Sequence, residues 1–352
     1  MIRQVWKRPV RTIIEFPQKD DAPPEHALLV GSFQDGRPLL VRNWANEDDV
    51  HTRLSGDESF FAPSVRKVRL TNYRAHKARA QNPITAMFQP TSPYYGKTWL
   101  LVGSGPSTEI QLDALKDIKR DYPDVVVVAI NDAMRCLGPI NVHGFIALCW
   151  LSDTKWWSGL GLKDVDLFTS FYTPIGILEP FLPERTYHFS TPLRDRMTPY
   201  AQADIEKFGA LDAGLTVSYS ALHMAFRCHA KKIILVGQDL AYTDCKSHAF
   251  ERLPWAVAEH RECIAVKDIN GNMTVTDQRM MRHAKLLAGG AFWCERSGIP
   301  VYNSSGAGIL NLGYGRTIPL LDALQSKEEH HAMPRLETLR AKATAKKEEV
   351  AC

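Results

Sequence analysis

Apolar positions along this chain fall into two regimes that meet near residue 98. Residues 1–90 are mixed and poorly periodic. Two short apolar runs there, HALLVGSF (26–33) and RPLLVRNW (37–44), flank Asp35-Gly36, which suits a tight hairpin turn. The segment QNPITAMFQPTSPYYG (81–96) carries prolines and small polar residues and reads as a connector. From Thr98 the texture changes. TWLLV (98–102) is a short apolar run closed by Gly103, followed by a helical pattern with Leu112, Leu115 and Ile118 on one face. VVVVAI (125–130) is β-branched without alternation, as a strand buried on both faces should be. FIALC (145–149), LFTSFY (167–172), KKIILVG (231–237) and IPVYNSS (299–305) predict further strands, and 215–228 predicts a helix. Asn270-Gly271 signals a second hairpin. Thr276 or Asp277 then caps a helix whose inner face carries Met280, Met281, Ala284, Leu287, Ala288 and Ala291.

Strands alternating with helices predict an α/β fold, a mostly parallel sheet with helices on both faces, beside a small N-terminal α+β region. The expected division is an accessory region over 1–90, a linker at 91–97, the α/β domain over 98–320 and a charged tail over 321–352. Composition agrees: 45% hydrophobic and 23% charged residues can fill a real core. Seven cysteines, at 136, 149, 228, 245, 263, 294 and 352, include no CxxC pair, which argues against a structural zinc site. Most lie inside apolar stretches and read as small buried hydrophobes in a reducing compartment. No apolar run is long enough for a signal peptide or a membrane span, so a cytoplasmic location is expected. The net charge of +4 gives no argument for nucleic acid or membrane. It is unevenly spread, because no Asp or Glu occurs between Glu58 and Glu109 while Arg66, Lys67, Arg69, Arg74, Lys77, Arg79 and Lys97 do.

Four stretches concentrate the chemistry. In LLVGSGPST (100–108) a strand ends in Gly103, Ser104 and Gly105, and Pro106, Ser107 and Thr108 open a helix. Such a turn brings helix N–H groups up to a phosphate, or is simply a tight βα turn. It lacks the third glycine of the dinucleotide fingerprint and the Lys-Ser/Thr of a Walker loop. AINDA (129–133) places Asn131 and Asp132 at a strand's carboxyl end, where α/β sheets bind ligands or where a helix is capped. ILVGQDLAYTDCKSHA (234–249) gathers Gln238, Asp239, Tyr242, Asp244 and His248 just past another strand, so a carboxylate and an imidazole are available as base and orienting pair. GLTVSY (214–219) sets Thr216 and Ser218 at a helix start, as cap or as phosphate ligand. His260-Arg261-Glu262 imitates half of a zinc deaminase signature, but the P-C-x-x-C half is missing.

Taken in order, VGSGPS, VVVVAINDAMRCL, LTVSYSALHMAFRCHAKKIILVGQDLAY with its following SHA, and VYNSSGAGI resemble one family. It groups the motility-associated-factor flagellin glycosyltransferases with the archaeal 6-hydroxymethylpterin diphosphokinase-like proteins. A weaker similarity extends to bacterial sialyltransferases that use CMP-sialic acid. The resemblance spans about 98–315 and implies a Rossmann-like transferase that handles a nucleotide-activated donor. On that reading Gly103, Ser104, Gly105, Pro106, Ser107, Asn131, Asp132, Thr216, Gln238 and Tyr242 form the nucleotide site, with Thr216 near the donor phosphate. This sequence departs from the sialyltransferase pattern in two places. Cys149 or Trp150 stands where Asp or Asn usually ends the third strand, with Asp153 slightly beyond, and Thr274, Thr276 and Asp277 stand where a catalytic His precedes the late helix. The expected catalytic residues are therefore Asp239 and His248.

Three functions are compatible with these residues. The first is transfer of a nonulosonic (sialic-acid-like) sugar from a CMP donor to a protein or glycan hydroxyl, a reading that implies no particular cofactor and is compatible with Mg²⁺. The second is pyrophosphate transfer from ATP to a pterin alcohol, which needs Mg²⁺ on carboxylates such as Asp239 and Asp244. The third is a non-catalytic nucleotide-binding or assembly protein on the same fold. The acid-free segment lacks nucleic-acid recognition modules, so no nucleic-acid partner is expected. Its end at the glycine turn suits attraction of an anionic donor or acceptor, or a plain solvated basic helix.

Overall fold

A computed structural model of the protein describes residues 11–13, 27–32, 38–44, 63–148, 160–191, 201–212, 216–243, 246, 248–249, 263–313 and 316–326. The N-terminal region holds a three-stranded antiparallel sheet of order β1-β3-β2, from β1 (Arg11–Ile13), β2 (Ala27–Ser32) and β3 (Pro38–Trp44). The expected hairpin pairing of β2 with β3 is present, with a register shift between Leu29 and Gly31; its turn lies outside the described residues. Helix α1 (Pro63–Arg79) follows.

The second sheet has eight strands in the order β13-β10-β5-β6-β7-β8-β9-β4, all paired in parallel. They are β4 (Asn82–Pro83), β5 (Thr98–Val102), β6 (Val125–Ile130), β7 (Gly144–Ala147), β8 (Asp166–Ser170), β9 (Thr186–Phe189), β10 (Lys232–Val236) and β13 (Val301–Asn303). Each of the long runs is buried on both faces, which explains why none alternates. Alternate residues feed opposite layers. Trp99, Leu101, Val126, Val128, Ile233 and Leu235 pack with α5 (Val217–Arg227) and α6 (Gln278–Arg296). Leu100, Val102, Val125, Val127, Ile234 and Val236 pack with α2 (Ser107–Asp121), α3 (Ala133–Leu137) and α7 (Leu320–Gln325). This is the expected Rossmann-like α/β arrangement with helices on both faces. An antiparallel pair, β11 (Cys263–Lys267) and β12 (Met273–Asp277), turns at Asn270-Gly271 as expected.

Several expectations shift. The Pro-containing connector is part of the packed structure: Asn82–Pro83 pairs with β9, and Ile84, Met87 and Tyr94 are buried in the core. Packing continues through α7, past the boundary expected at residue 320. There Lys232 Nζ, buried at the start of β10, donates to the Ala323, Leu324 and Ser326 carbonyls (2.8, 3.0 and 2.9 Å). A cation on the last carbonyls ends the helix. Strands β7, β8 and β13 are shorter than their apolar runs, and Asp277 rather than Thr276 caps α6, its Oδ1 accepting from Met280 N at 2.7 Å. Cys228, Cys263 and Cys294 are buried, as expected, and Cys136 is half-buried. Among the described residues no helix is long and apolar enough to cross a membrane.

Candidate functional site

The chain runs from β5 outward through β6, β7, β8 and β9, then returns to place β10 on the other side of β5. The strand order reverses between β5 and β10, and ligands of open α/β sheets bind outside the carboxyl ends at such a point. The glycine turn after β5 and the Gly237–Tyr242 loop after β10 meet there, as their sequences suggested.

Their contact is tighter than a ligand-binding turn needs. Gly105 N donates to the Gly237 carbonyl (2.9 Å), Gly103 N to the Val236 carbonyl (2.8 Å) and Thr108 Oγ1 to the Gly103 carbonyl (2.9 Å). Gly237 sits at φ +66°, and a Cβ on it would overlap Thr108 Oγ1 and the Gly103 carbonyl. The glycines therefore let two loops approach each other. Asp239 completes the seam. Its Oδ1 accepts from Ser107 Oγ (2.5 Å) and its Oδ2 from Ser107 N (3.1 Å), so its carboxylate occupies the start of α2. Asp239 is buried, and burial pushes its carboxyl above the usual carboxylate range, against the pull of the Ser107 donors. Thr108 N and Glu109 N bond to the Gly105 and Pro106 carbonyls. The start of α2 is thus filled from within, and the phosphate expected there would meet a carboxylate instead.

The other candidates divide by exposure. Gly103, Pro106, Ser107, Gln238, Asp239 and Tyr242 are buried. The Tyr242 hydroxyl donates to Asp277 Oδ2 (3.1 Å), which ties it to the cap of α6. Ser104, Gly105, Asn131, Asp132 and Thr216 are partly exposed, and His248 is exposed. Asn131 adopts φ 46°, the left-handed region that asparagine tolerates, and its Oδ1 accepts from Leu148 N at 3.4 Å across the β6 and β7 ends. Asp132, one residue later, occupies the N-cap position of α3, but its side chain makes no capping bond. Thr216 holds the N-cap position of α5, also without a side-chain capping bond. His248 is brought beside the glycine turn because Ala249 N donates to the Ser104 carbonyl (2.7 Å), and Lys246 pairs with Glu109 of α2 at 2.9 Å.

Gln238 stands out among these groups. Its backbone N donates to Ser305 Oγ (3.0 Å) and its Oε1 accepts from Ser218 Oγ (2.7 Å) in the first turn of α5. Its Nε2 is buried against Gly103 and has no hydrogen-bond partner among the described residues. A buried amide left half-satisfied is costly unless something else completes it. In α5, Tyr219 N is taken by the Thr216 carbonyl (3.1 Å), and the two amides before it have no carbonyl within the helix to bond. The α5 face of the switch point therefore gathers donors, whereas the α2 face is closed.

Sequence reasoning missed Ser305, whose hydroxyl holds the Gln238 backbone, and Gln111, which donates to the Ser304 and Ser305 carbonyls (2.8 Å each). The SSGAG segment after β13 was the available signal. Magnesium finds no ready cradle: Asp239 is committed to Ser107, Asp244 lies outside the described residues, and no group of three or more His, Cys, Asp or Glu converges among the described residues. Cys149, Trp150, Asp153 and His260–Glu262 also lie outside the described residues.

Comparison with known proteins places this arrangement. A solved structure titled MAf glycosyltransferase from Magnetospirillum magneticum AMB-1 superposes with a TM-score of 0.50 at 18% identity, over 74% of this chain and 42% of that one. This chain thus spans less than half the length of that relative, and the likeness is one of fold. No curated protein matches the chain. The sequence profile described as 6-hydroxymethylpterin diphosphokinase MptE-like matches residues 70–245, which contain β5, α2, the Asn131 turn, α5 and the Gln238–Tyr242 loop. The chain belongs to this MptE-like family, and its switch-point loops lie within the segment that defines the membership.

Proposed function

We propose that this protein is a transferase for an anionic, nucleotide-activated donor, bound on the α5 face of the crevice between β5 and β10. The half-satisfied Gln238 amide beside the start of α5 carries the reading. A donor there would accept from Gln238 Nε2 and set its phosphate toward the first amides of α5, with Ser104, Gly105, Asn131 and Thr216 at the rim. The preferred donor is a CMP-activated nonulosonic sugar and the acceptor a protein or glycan hydroxyl, a reading supported by the fold shared with a protein titled a glycosyltransferase. Fixed donors would stabilise the departing phosphate, and the exposed His248 would take the acceptor proton. Asp239 is a positioning residue that clamps the α2 start to the β10 loop. The family description favours a second reading, pyrophosphate transfer from ATP to a pterin alcohol.

A thermal-shift panel of CMP, CDP, UDP, GDP, ATP and pterin alcohols, with and without Mg²⁺, tests this. CMP at about 100 times its Kd should stabilise the fold by ~2.7 kcal/mol. Gln238→Ala should weaken CMP about 10- to 100-fold, the worth of a buried hydrogen bond or two. No response to any nucleotide would overturn the proposal. A response to ATP with a pterin alcohol alone, with AMP released only with Mg²⁺, would select the second reading. His248→Ala that binds CMP normally but no longer turns over sugar nucleotide identifies an enzyme; unchanged function of that variant in cells points to a binding or assembly role.

A further inference from the structure

Away from the crevice, the carboxyl ends of β8 and β9 are covered by α1, which sets buried polar groups beside an apolar cluster of Leu70 and Tyr73 with Phe171, Tyr172 and Phe208. Asn72, Tyr73 and His76 face inward and are buried. Asn72 Nδ2 donates to the Tyr172 carbonyl (3.2 Å), and Tyr73 and Lys77 both engage Asp204 of α4 (Ala201–Phe208). At the centre, His76 Nδ1 lies 3.2 Å from His188 Nε2 of β9, and His76 Nε2 lies 2.8 Å from the Thr173 carbonyl. Both imidazoles are essentially inaccessible, 0% and 1% exposed. Phe171 stacks on His188, and Phe208 meets it edge-on.

A carbonyl only accepts, so His76 must carry its proton on Nε2. Its Nδ1 is then an acceptor, which requires the proton of His188 on Nε2. The chain Thr173 C=O···H–Nε2 His76 Nδ1···H–Nε2 His188 is complete with both rings neutral. His188 Nδ1 is left as a buried lone pair with no partner among the described residues. One further proton has two places to go, and both break the packing. On His188 Nδ1 it puts a cation and an unmatched donor into an aromatic pocket. On His76 Nδ1 it abolishes the bond between the rings. We infer that the His76–His188 pair is an acid-released latch that holds α1 over the carboxyl ends of β8 and β9.

The surrounding charges do not relieve an added proton. Arg79 on α1 disfavours a charged His76, and His188 faces only His76 in this respect. Asp204 is taken by Tyr73 and Lys77, with Lys207 also near Lys77. Burial depresses His76 to about 4 and His188 to about 3, so docking is fully supported above the free imidazole range and weakens as pH falls through it. Each imidazole freed on release multiplies the open fraction about tenfold per pH unit below ~6.5. Between about pH 7.5 and about pH 5 that is ~30-fold for one ring and approaches ~1000-fold for two.

Amide hydrogen exchange, corrected for intrinsic rates, reads this directly on the full chain. Protection in α1 should fall by at least ~30-fold at about pH 5 while α5 and α6 keep theirs. His76→Gln/His188→Gln keeps a donor for Thr173 and the link between the two side chains but cannot titrate here, so its α1 should stay protected at about pH 5. Equal protection of wild-type α1 at both pH values would overturn the latch. So would α1 protection that falls only together with α5 and α6, or an acid response that survives in the double variant. If that variant does not fold, the comparison of α1 with α5 and α6 in the wild type decides alone. Nucleotide binding plays no part in the readout.

Discussion

At Gly237 the backbone is in the left-handed region and Thr108 and Gly103 occupy the space where a Cβ would go. Gly237→Ala should therefore cost more than the ~1 kcal/mol of a simple left-handed penalty, on the order of 3 kcal/mol, in urea unfolding followed by circular dichroism. Asp239→Asn keeps the shape but removes a charged acceptor from the α2 start. It should lower stability by ~1–2 kcal/mol and change CMP affinity less than Gln238→Ala does, because Asp239 clamps the loop from below the crevice. A comparison of the two variants by calorimetry checks the order. The residue scale is also where the sequence reveals least. Gln238, Asp239 and Ser107 were identifiable as polar groups near strand ends. That Ser107 and Asp239, 132 positions apart, would satisfy each other and close the α2 start was not, because pairing across a sheet follows from strand order.

At the scale of elements, the strands were legible because a parallel sheet covered on both faces must be apolar along its whole length, as VVVVAI and KKIILVG are. Two elements were not. β4 is two residues long and contains a proline, tolerable because it lies at the sheet edge. The basic composition of α1 suggests either an anion-attracting segment or a solvated helix, yet Asn72, Tyr73 and His76 on its inner face are buried; two of these three are polar, which hides the buried stripe from a hydrophobic pattern. At the C-terminal end of the packed structure, one cation adds to the apolar packing of α7. Lys232→Met keeps the aliphatic stem but leaves the α7 carbonyls without their donor, which should cost about 2–3 kcal/mol. Hydrogen exchange should show faster amides in 320–326 and little change in β5.

For the whole molecule, acid is the sensitive axis. His143 is held at about 4 by burial and by Lys119, and burial lowers His223 too, as it does the two latch imidazoles. Below about pH 6.5 the unfolded chain binds protons that the folded one refuses, so stability falls with falling pH, by up to ~1.4 kcal/mol per unit for each suppressed imidazole. Urea midpoints should be flat from about pH 8 to 7 and drop steeply between about pH 6 and 4.5. The last strand has a consequence for biosynthesis. The Ile309 amide bonds to the Asp239 carbonyl, Gly308 lies against the Asp239 backbone, and Ser305 holds Gln238. Residues 303–309 are therefore the keystone of loops made some seventy residues earlier. While the ribosome has yet to deliver them, β10 is a bare apolar edge next to an unfinished crevice, so a nascent chain stalled before β13 would be a substrate for chaperones and self-association rather than a smaller working protein.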